Sequence, residues 1–530
     1  MSACLPVSPT SQSIGWINVK EVIGTTGLCA IGDGVTDDTA AFQAALNLAT
    51  SEPNPGGATG GGIVYLPPGT YLVKNTLSVA GPCSVLALRY VNPTGGVTVL
   101  QADVTKDLFD VAFAPGQYGA VFSGFSVSGQ TAAALAPNMG WVFHLQPSAN
   151  RVELLDLTLT NVSYGILVDG ASDVRCERVS IIPYDAAPTQ QVPIGSRFGF
   201  KAQKNGLRTI CIDCSVDESM NQNRNVLSAF GIDGAYVDMG VVAGSADTSY
   251  TGYSSAASTA PFQPTYFHLL ECRAANSSLG GELSGGADCI VAKSRFEAGV
   301  QLAGQGGSAI VVRSTYSSSS LSISAVSIEG MPNAGMWLTE STLSLSASTV
   351  KIAGHSGAVN TPGILFDGSA TLPGALSALL VQECPAGAHL ARTFGGTAAV
   401  SGFSESANSA GLVVDAGATG TYAMVGCALP DALQDASGTP TRRAADTIGI
   451  NPTDSLAAPQ PSAGTTITVT NAFGVSANVY LAPAVGGNQF TSVTVDGVSV
   501  GTASGFVRVP VGSTIVATYV GKPTWSWLGD

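Results

Sequence analysis

Four carboxylates and three cations gather in one stretch of a chain that is otherwise poor in charge. Asp213, Asp217, Glu271 and Glu297 lie among Arg273, Lys293 and Arg295, in a sequence where Asp, Glu, Lys and Arg make only 11%. Two carboxyl groups about 5 Å apart, or roughly 6.5–9.5 Å apart, are what hydrolysis of a glycosidic bond requires. Cations beside them would hold an acidic sugar, or supply the base and charge neutralisation of an elimination. Glu271 ranks first, then Asp213, Asp217 and Glu297, because Glu271 follows an aromatic stretch and stands beside Arg273. That stretch carries Tyr236, Tyr250, Tyr253 and Phe262, and a tyrosine offers a sugar both an apolar face and a hydroxyl. The same rings would serve equally to pack a loop. His268, close to Glu271, is the histidine to watch. His144, His355 and His389 are far apart and form no metal-spaced cluster. No Ser-His-Asp series, phosphate loop or nucleotide fingerprint stands out, so neither a metal nor a cofactor is expected.

Residues so distant in sequence act together only if the chain returns them to one line. The segments Ser123–Val127, Leu155–Leu159, Glu177–Ile181, Ile212–Val216, Leu270–Ala274, Ala292–Phe296, Val312–Tyr316 and Thr339–Leu343 align as a weak repeat. Their outer and central positions are mostly apolar or small, as in Ile212, Cys214 and Val216, and the two between are polar. Period two with one buried face is a strand. Intervals of 20 to 22 residues suit one coil of a β-solenoid, and longer ones a coil with an insertion or an unrecognised coil. The 58-residue interval between the centres at Cys214 and Cys272 therefore puts Asp213 and Glu271 either one or two coils apart. Coils stack about 4.8 Å apart, so the position before each centre forms a ladder: Gly124, Asp156, Arg178, Asp213, Glu271, Lys293, Arg313, Glu340. A solvated ladder of alternating ion pairs explains the same pattern.

The ends differ. Ile17 to Lys74 contains GDGVTDDTAAFQAALNLA and GGGIVYLPPGTYLV. Thr36 or Asp37 can cap a helix bearing Phe42, Ala45, Leu46 and Ala49 at helical spacing. Asp33, Asp37 and Asp38 therefore read as turn and cap residues rather than catalysts. From residue 465 onward, short strands with tight turns form a compact antiparallel module ending in Trp525 and Trp527, which suit trimer packing better than sugar binding. The boundaries are residues 1–15 for a tail, 16–440 for the solenoid, 441–464 for a linker and 465–530 for the module. A net charge of −14 argues against nucleic acid. No apolar run of membrane-spanning length occurs, and Met1 to Ser13 lack the features of a Sec signal. The ten cysteines show no zinc spacing or dense disulfide framework. Cys214 and Cys272 occupy inward positions as small hydrophobes.

The run NVKEVIG…GDGVTDDTAAFQAAL…GGGIVYLPPGTYLV closely resembles the N-terminal signature of the pectate-lyase-like superfamily. The resemblance implies an all-β fold: a right-handed parallel β-helix with a short N-terminal capping helix and a small C-terminal antiparallel module. The superfamily contains lyases, hydrolases, epimerases and phage tailspikes, so the signature does not choose a reaction. The layout is most similar to a tailspike depolymerase. That likeness implies a homotrimer on a virion tail, held to a tail or baseplate protein by its N-terminus, that binds and cuts a bacterial surface polysaccharide. The epimerase DPH triplet and the polygalacturonase series are absent, which keeps a non-catalytic adhesion fibre and a structural tail component as alternatives.

Overall fold

The computed structural model describes residues 16–51, 60–87, 96–103, 105–129, 140–162, 164–183, 197–204, 206–217, 226–233, 238–247, 251–256, 266–275, 279–284, 288–297, 301–302, 305–306, 308–313, 320–339, 344–353, 362–368, 376–377, 379–391, 395, 397–401, 404–406, 408, 412–415, 418, 421–425, 433–435, 442–445, 455–456, 459–462, 465–471, 476–501, 504–510 and 512–529. Contacts divide the chain into two units, Met1–Trp337 with His355–Ala358, and Leu338–Gly354 with Val359–Asp530.

In the first unit each coil contributes one strand to each of three parallel sheets. A representative coil runs Thr209–Ile212 in the first sheet, Ser215–Asp217 in the second and Val226–Asp233 in the third. The next is Asp238–Val242, Ser245–Asp247 and Thr251–Ala256, followed by Tyr266–Leu270, Arg273–Ala275 and Leu279–Ser284. Cys211 pairs with Val241, Val241 with Leu269, and Leu269 with Val291. The 58-residue interval thus hides a full coil, not one long aromatic insertion, and Asp213 and Glu271 stand two coils apart.

The ladder position is not on a strand. Asp156, Arg178, Asp213, Ala243, Glu271 and Lys293 have φ of 53°, 51°, 50°, 52°, 57° and 49°. Each is a left-handed corner between the first and second sheets. A strand cannot turn so sharply with ordinary backbone angles, and the left-handed region is strained for residues with a Cβ. Hydrogen bonds hold the turn: Asp213 N–H donates to Val242 O at 2.9 Å, Ala243 N–H to Leu270 O at 2.9 Å, and Glu271 N–H to Ala292 O at 3.0 Å. Two residues later the chain reaches back, as where Arg273 N–H donates to Gly244 O at 2.8 Å. The ladder position assigned to Arg313 was out of register. Arg313 ends the third-sheet strand Ser308–Arg313, the corner falls at Ala325 (φ 52°), and Glu340 lies outside the described residues.

Aromatic rings fill the interior. Phe109 and Phe143 stack at 5.0 Å, Phe200 and Phe230 at 4.9 Å, and Phe230 and Tyr253 at 5.3 Å. Coils that repeat exactly bring like residues over like, so one ring continues the next. Cys214 and Cys272 are buried free thiols, as their inward positions require, with the Gly244 coil between them. Cys29 is disulfide-bonded, which the scatter of cysteines did not reveal. The helix Thr39–Ser51 buries Phe42, Ala45, Leu46 and Ala49. Asp37 accepts the Thr39 N–H at 3.0 Å, Asp33 accepts those of Val35 and Thr36, and buried Asp38 accepts that of Ile31 at 2.7 Å. These three carboxylates hold the turn and helix start.

In the second unit the parallel pattern continues beyond residue 343, where the aligned segments of the sequence end. Pro362–Asp367 pairs with Ala386–Leu390, and Thr397–Ser401 with Thr421–Val425, which pairs with Arg442–Ala445. The unit also holds two four-stranded antiparallel sheets, from Ser455–Leu456 to Trp525–Gly529. Their shared core contains Trp525, 3% exposed, and Trp527, 1% exposed. Both tryptophans pack within their own module, which corrects their expected place between subunits.

Phe230→Ala should lower unfolding free energy by about 3–5 kcal/mol, because a ring is removed from the middle of a stack; urea denaturation measures it. Cys214 and Cys272 should react with a thiol reagent only after denaturation, and rapid labelling of native protein would contradict their inward register.

Candidate functional site

The corner ladder projects its side chains from the ridge where the first and second sheets meet. Asp213 and Glu271 are exposed there, with Ala243 between them and Lys293 one coil beyond Glu271. Lys293 Nζ lies 3.4 Å from Glu271 Oε1. On the second-sheet side, Arg273 stands in register with Arg295, and Ala275 with Glu297. Glu297 accepts from Arg273 and lies 2.7 Å from Arg295 Nε, while Arg295 also reaches Glu329 at 3.2 Å. Asp217, Asp247 and Ala275 occupy one line of the same sheet. On the first-sheet side, Tyr266 and His268 form an edge-to-face pair at 6.3 Å, beside partly exposed Ile210, Leu270 and Ile290. The ridge therefore separates an apolar, aromatic strip from a polar, ion-paired one.

The expected tyrosines fare differently. Tyr253 is fully buried in the third sheet, its hydroxyl oxygen 2.9 Å from the backbone oxygens of both Gly244 and Arg273, between which its one proton is shared. It cannot meet a substrate, because the strand Thr251–Ala256 turns this ring into the core. Burial also pushes its phenol well above the usual range. Tyr236, Tyr250 and Phe262 lie outside the described residues. Tyr266, which marked only the edge of the presumed insertion, is an exposed aromatic residue at the start of the first-sheet strand that leads to the Glu271 corner. An alternating YFHLL pattern was the signal that could have found it.

Ion pairing between coils is widespread. Arg178 Nε is 2.7 Å from Asp156 Oδ1, and Arg208 pairs with Asp173 at another left-handed corner. A second titratable cluster, missed because its residues are far apart in sequence, lies on the third sheet. His144 Nδ1 is 2.7 Å from Asp107 Oδ2, and Nε2 faces Asp169 Oδ2 at 3.6 Å. Asp107 also accepts the Trp141 backbone N–H at 2.7 Å, and Asp169 binds Gln203 and Lys204. Asp110, which takes Gln146 at 2.9 Å, stands in register with His144. The hydrogen bond to Asp107 holds the imidazole above its usual range against the opposing effect of burial. Among the described residues no group of His, Cys, Asp or Glu is arranged to hold a metal, and no helix is long and apolar enough to cross a membrane.

Three parallel sheets turning through left-handed corners, preceded by a capped helix, make the first unit a parallel β-helix. Residues 16–83 match the family described as rhamnogalacturonase A/epimerase, pectate lyase-like. Among curated proteins the chain is 36% identical over 104 residues to mannuronan C5-epimerase AlgE5 of Azotobacter vinelandii, covering 19% of this chain and 10% of that protein. It is 37% identical over 112 residues to the non-secreted LysM effector LysM15 of Penicillium expansum, covering 19% of this chain and 7% of that one. The chain thus spans a tenth or less of the length of these relatives. A tailspike protein variant of E. coli bacteriophage HK620, solved with a pentasaccharide, matches over 98% of this chain and 94% of its own, with TM-score 0.53 and 10% identity. That likeness is one of fold.

His144 yields a pH prediction. Its pKa is raised in the folded state, so its contribution is present in full below the unfolded value of about 6.5 and is lost as pH rises through the folded value. The stability difference between the native protein and His144→Gln should therefore shrink from acid to alkaline pH. Denaturation at several pH values measures it, and a constant difference would refute the charged pairing with Asp107 and Asp169.

Proposed function

We propose that this protein binds a bacterial surface polysaccharide along the ridge between its first two sheets and hydrolyses it there. The observation that carries the reading is the spacing of Asp213 and Glu271 across Ala243. Two coil steps of about 4.8 Å separate their backbones by about 9.6 Å, close to the range in which two carboxylates admit a water between them for inverting hydrolysis. Ala243 offers only a methyl group to that gap. One carboxylate would protonate the leaving oxygen and the other activate the water. Asp217 and Glu297, lower on the second sheet, are the reserve candidates. Tyr266 and His268 would receive sugar faces on the other side of the ridge.

The cations favour hydrolysis over elimination. Lys293, Arg273 and Arg295 are each paired with a glutamate, which offsets part of the charge that would neutralise a uronate. They would instead bind hydroxyl-rich sugar while holding their carboxylates in place. In keeping with the tailspike-like fold, we assign the chain to a homotrimer on a virion tail, anchored through its N-terminus.

A second reading, adhesion without cleavage, is favoured by one observation: Glu271 and Glu297 both make ion pairs between coils, as a purely structural ladder would. Incubation with host surface polysaccharide separates these outcomes. New reducing ends without the ultraviolet absorbance of an unsaturated uronate indicate hydrolysis, both signals indicate elimination, and retention without either indicates adhesion. Glu271→Gln and Asp213→Asn should each lower turnover by roughly two to four orders of magnitude. Folding should persist, because exposed ion pairs contribute little to stability. Full activity in both variants, and in Asp217→Asn and Glu297→Gln, would remove this face from the chemistry.

A further inference from the structure

We propose that the C-terminal antiparallel module carries a second sugar-binding surface, in which Tyr480 and Phe506 stack against the apolar face of a ring of the same polysaccharide. The inference rests on the polysaccharide reading above and adds a site remote in sequence from the ridge.

Tyr480 and Phe506 are direct cross-strand partners on Ala477–Leu481 and Gly505–Val509. Their ring centroids are 5.0 Å apart at 46°, and they remain 36% and 64% exposed. The opposite face of these strands accounts for the module's stability. Ala477, Val479, Leu481, Val507 and Val509 turn inward to meet Trp525 and Trp527. The outward pair is therefore not needed by that core, and leaving a phenylalanine so open to water has no folding benefit. Among the described residues Gly505–Val509 ends its sheet, and no further described strand walls that side of the Phe506 ring.

The surroundings choose the occupant. Arg508, two residues from Phe506 on the same face, is exposed, as is Ser526, the other cross-strand partner of Tyr480; Asn478 lies on the same side. Hydrogen-bonding side chains around two tilted rings match a sugar, whose hydroxyls surround an apolar face of axial hydrogens. A second protein chain would need far more. Two such rings bury at most about 500 Å², against roughly 800 Å² per partner for a stable interface.

The full chain should be applied to a printed array of purified bacterial surface polysaccharides, beside Phe506→Ala, Tyr480→Ala, Phe506→Trp and the ridge variant Asp213→Asn. On any polysaccharide that retains the native protein, Phe506→Ala and Tyr480→Ala should weaken binding by roughly tenfold, and Phe506→Trp should preserve it. Their melting temperatures should match the native protein, since both rings are exposed. Equal retention of the alanine variants overturns the second site while leaving the polysaccharide reading intact. A fall in oligomeric mass for Phe506→Ala, measured by light scattering, also overturns it, by showing that the rings face another subunit. If the array retains none of the proteins, the polysaccharide reading fails and this site fails with it.

Discussion

The left-handed corner between the first and second sheets is the constraint from which most of the first unit follows. A residue with a Cβ held there costs about 1–2 kcal/mol, and the chain accepts this at Asp156, Arg178, Asp213, Ala243, Glu271 and Lys293. Each corner N–H donates to the coil that follows, and the strand after it donates to the coil before. A corner is thus held from both sides, and strain in one turn is shared by its neighbours. Where no Cβ is tolerated, glycine takes the place: at Gly124, φ 83°, a Cβ would lie 2.1 Å from Ala87 O.

This geometry also decides what the ridge can present. A corner side chain points away from the core, so its identity is free, and the chain uses that freedom for charge. Asp156 with Arg178 and Glu271 with Lys293 tie successive coils together, while Asp213 and Glu271 are separated by one small residue. The spacing of the carboxylates is therefore set by the rise of the coil rather than by a loop. The ridge is rigid because the backbone beneath it is hydrogen-bonded in both directions.

Aromatic residues divide along the same line. Tyr253 and the phenylalanines stacked with it sit inside, where like rings over like rings exclude water from a narrow core. Trp525 and Trp527 do the equivalent in the antiparallel module. Among the described residues, the aromatic rings most open to water are Tyr118, Tyr266, Tyr480 and Phe506. On a surface with so few charges, these rings and the corner carboxylates are the features with distinct chemistry.

Period-two patterning, the glycine-rich signature with its helix, and the inward cysteines were legible in the amino-acid order, because burial of alternate residues leaves a local trace. Asp33, Asp37 and Asp38 were legible for the same reason, since their partners lie within a few residues. The hidden coil at Ala243 was not: its segment, Val242 to Ala246, has alanine and glycine where its neighbours carry charge and sulfur, so it left no signal of its own. Arg313 was drawn into the ladder because strand ends of different sheets look alike in sequence. The burial of Tyr253, and the meeting of His144 with Asp107 and Asp169, depend on which coil lies beside which. Only the stacking of coils, fixed by backbone hydrogen bonds between residues some 20 to 46 positions apart, decided those.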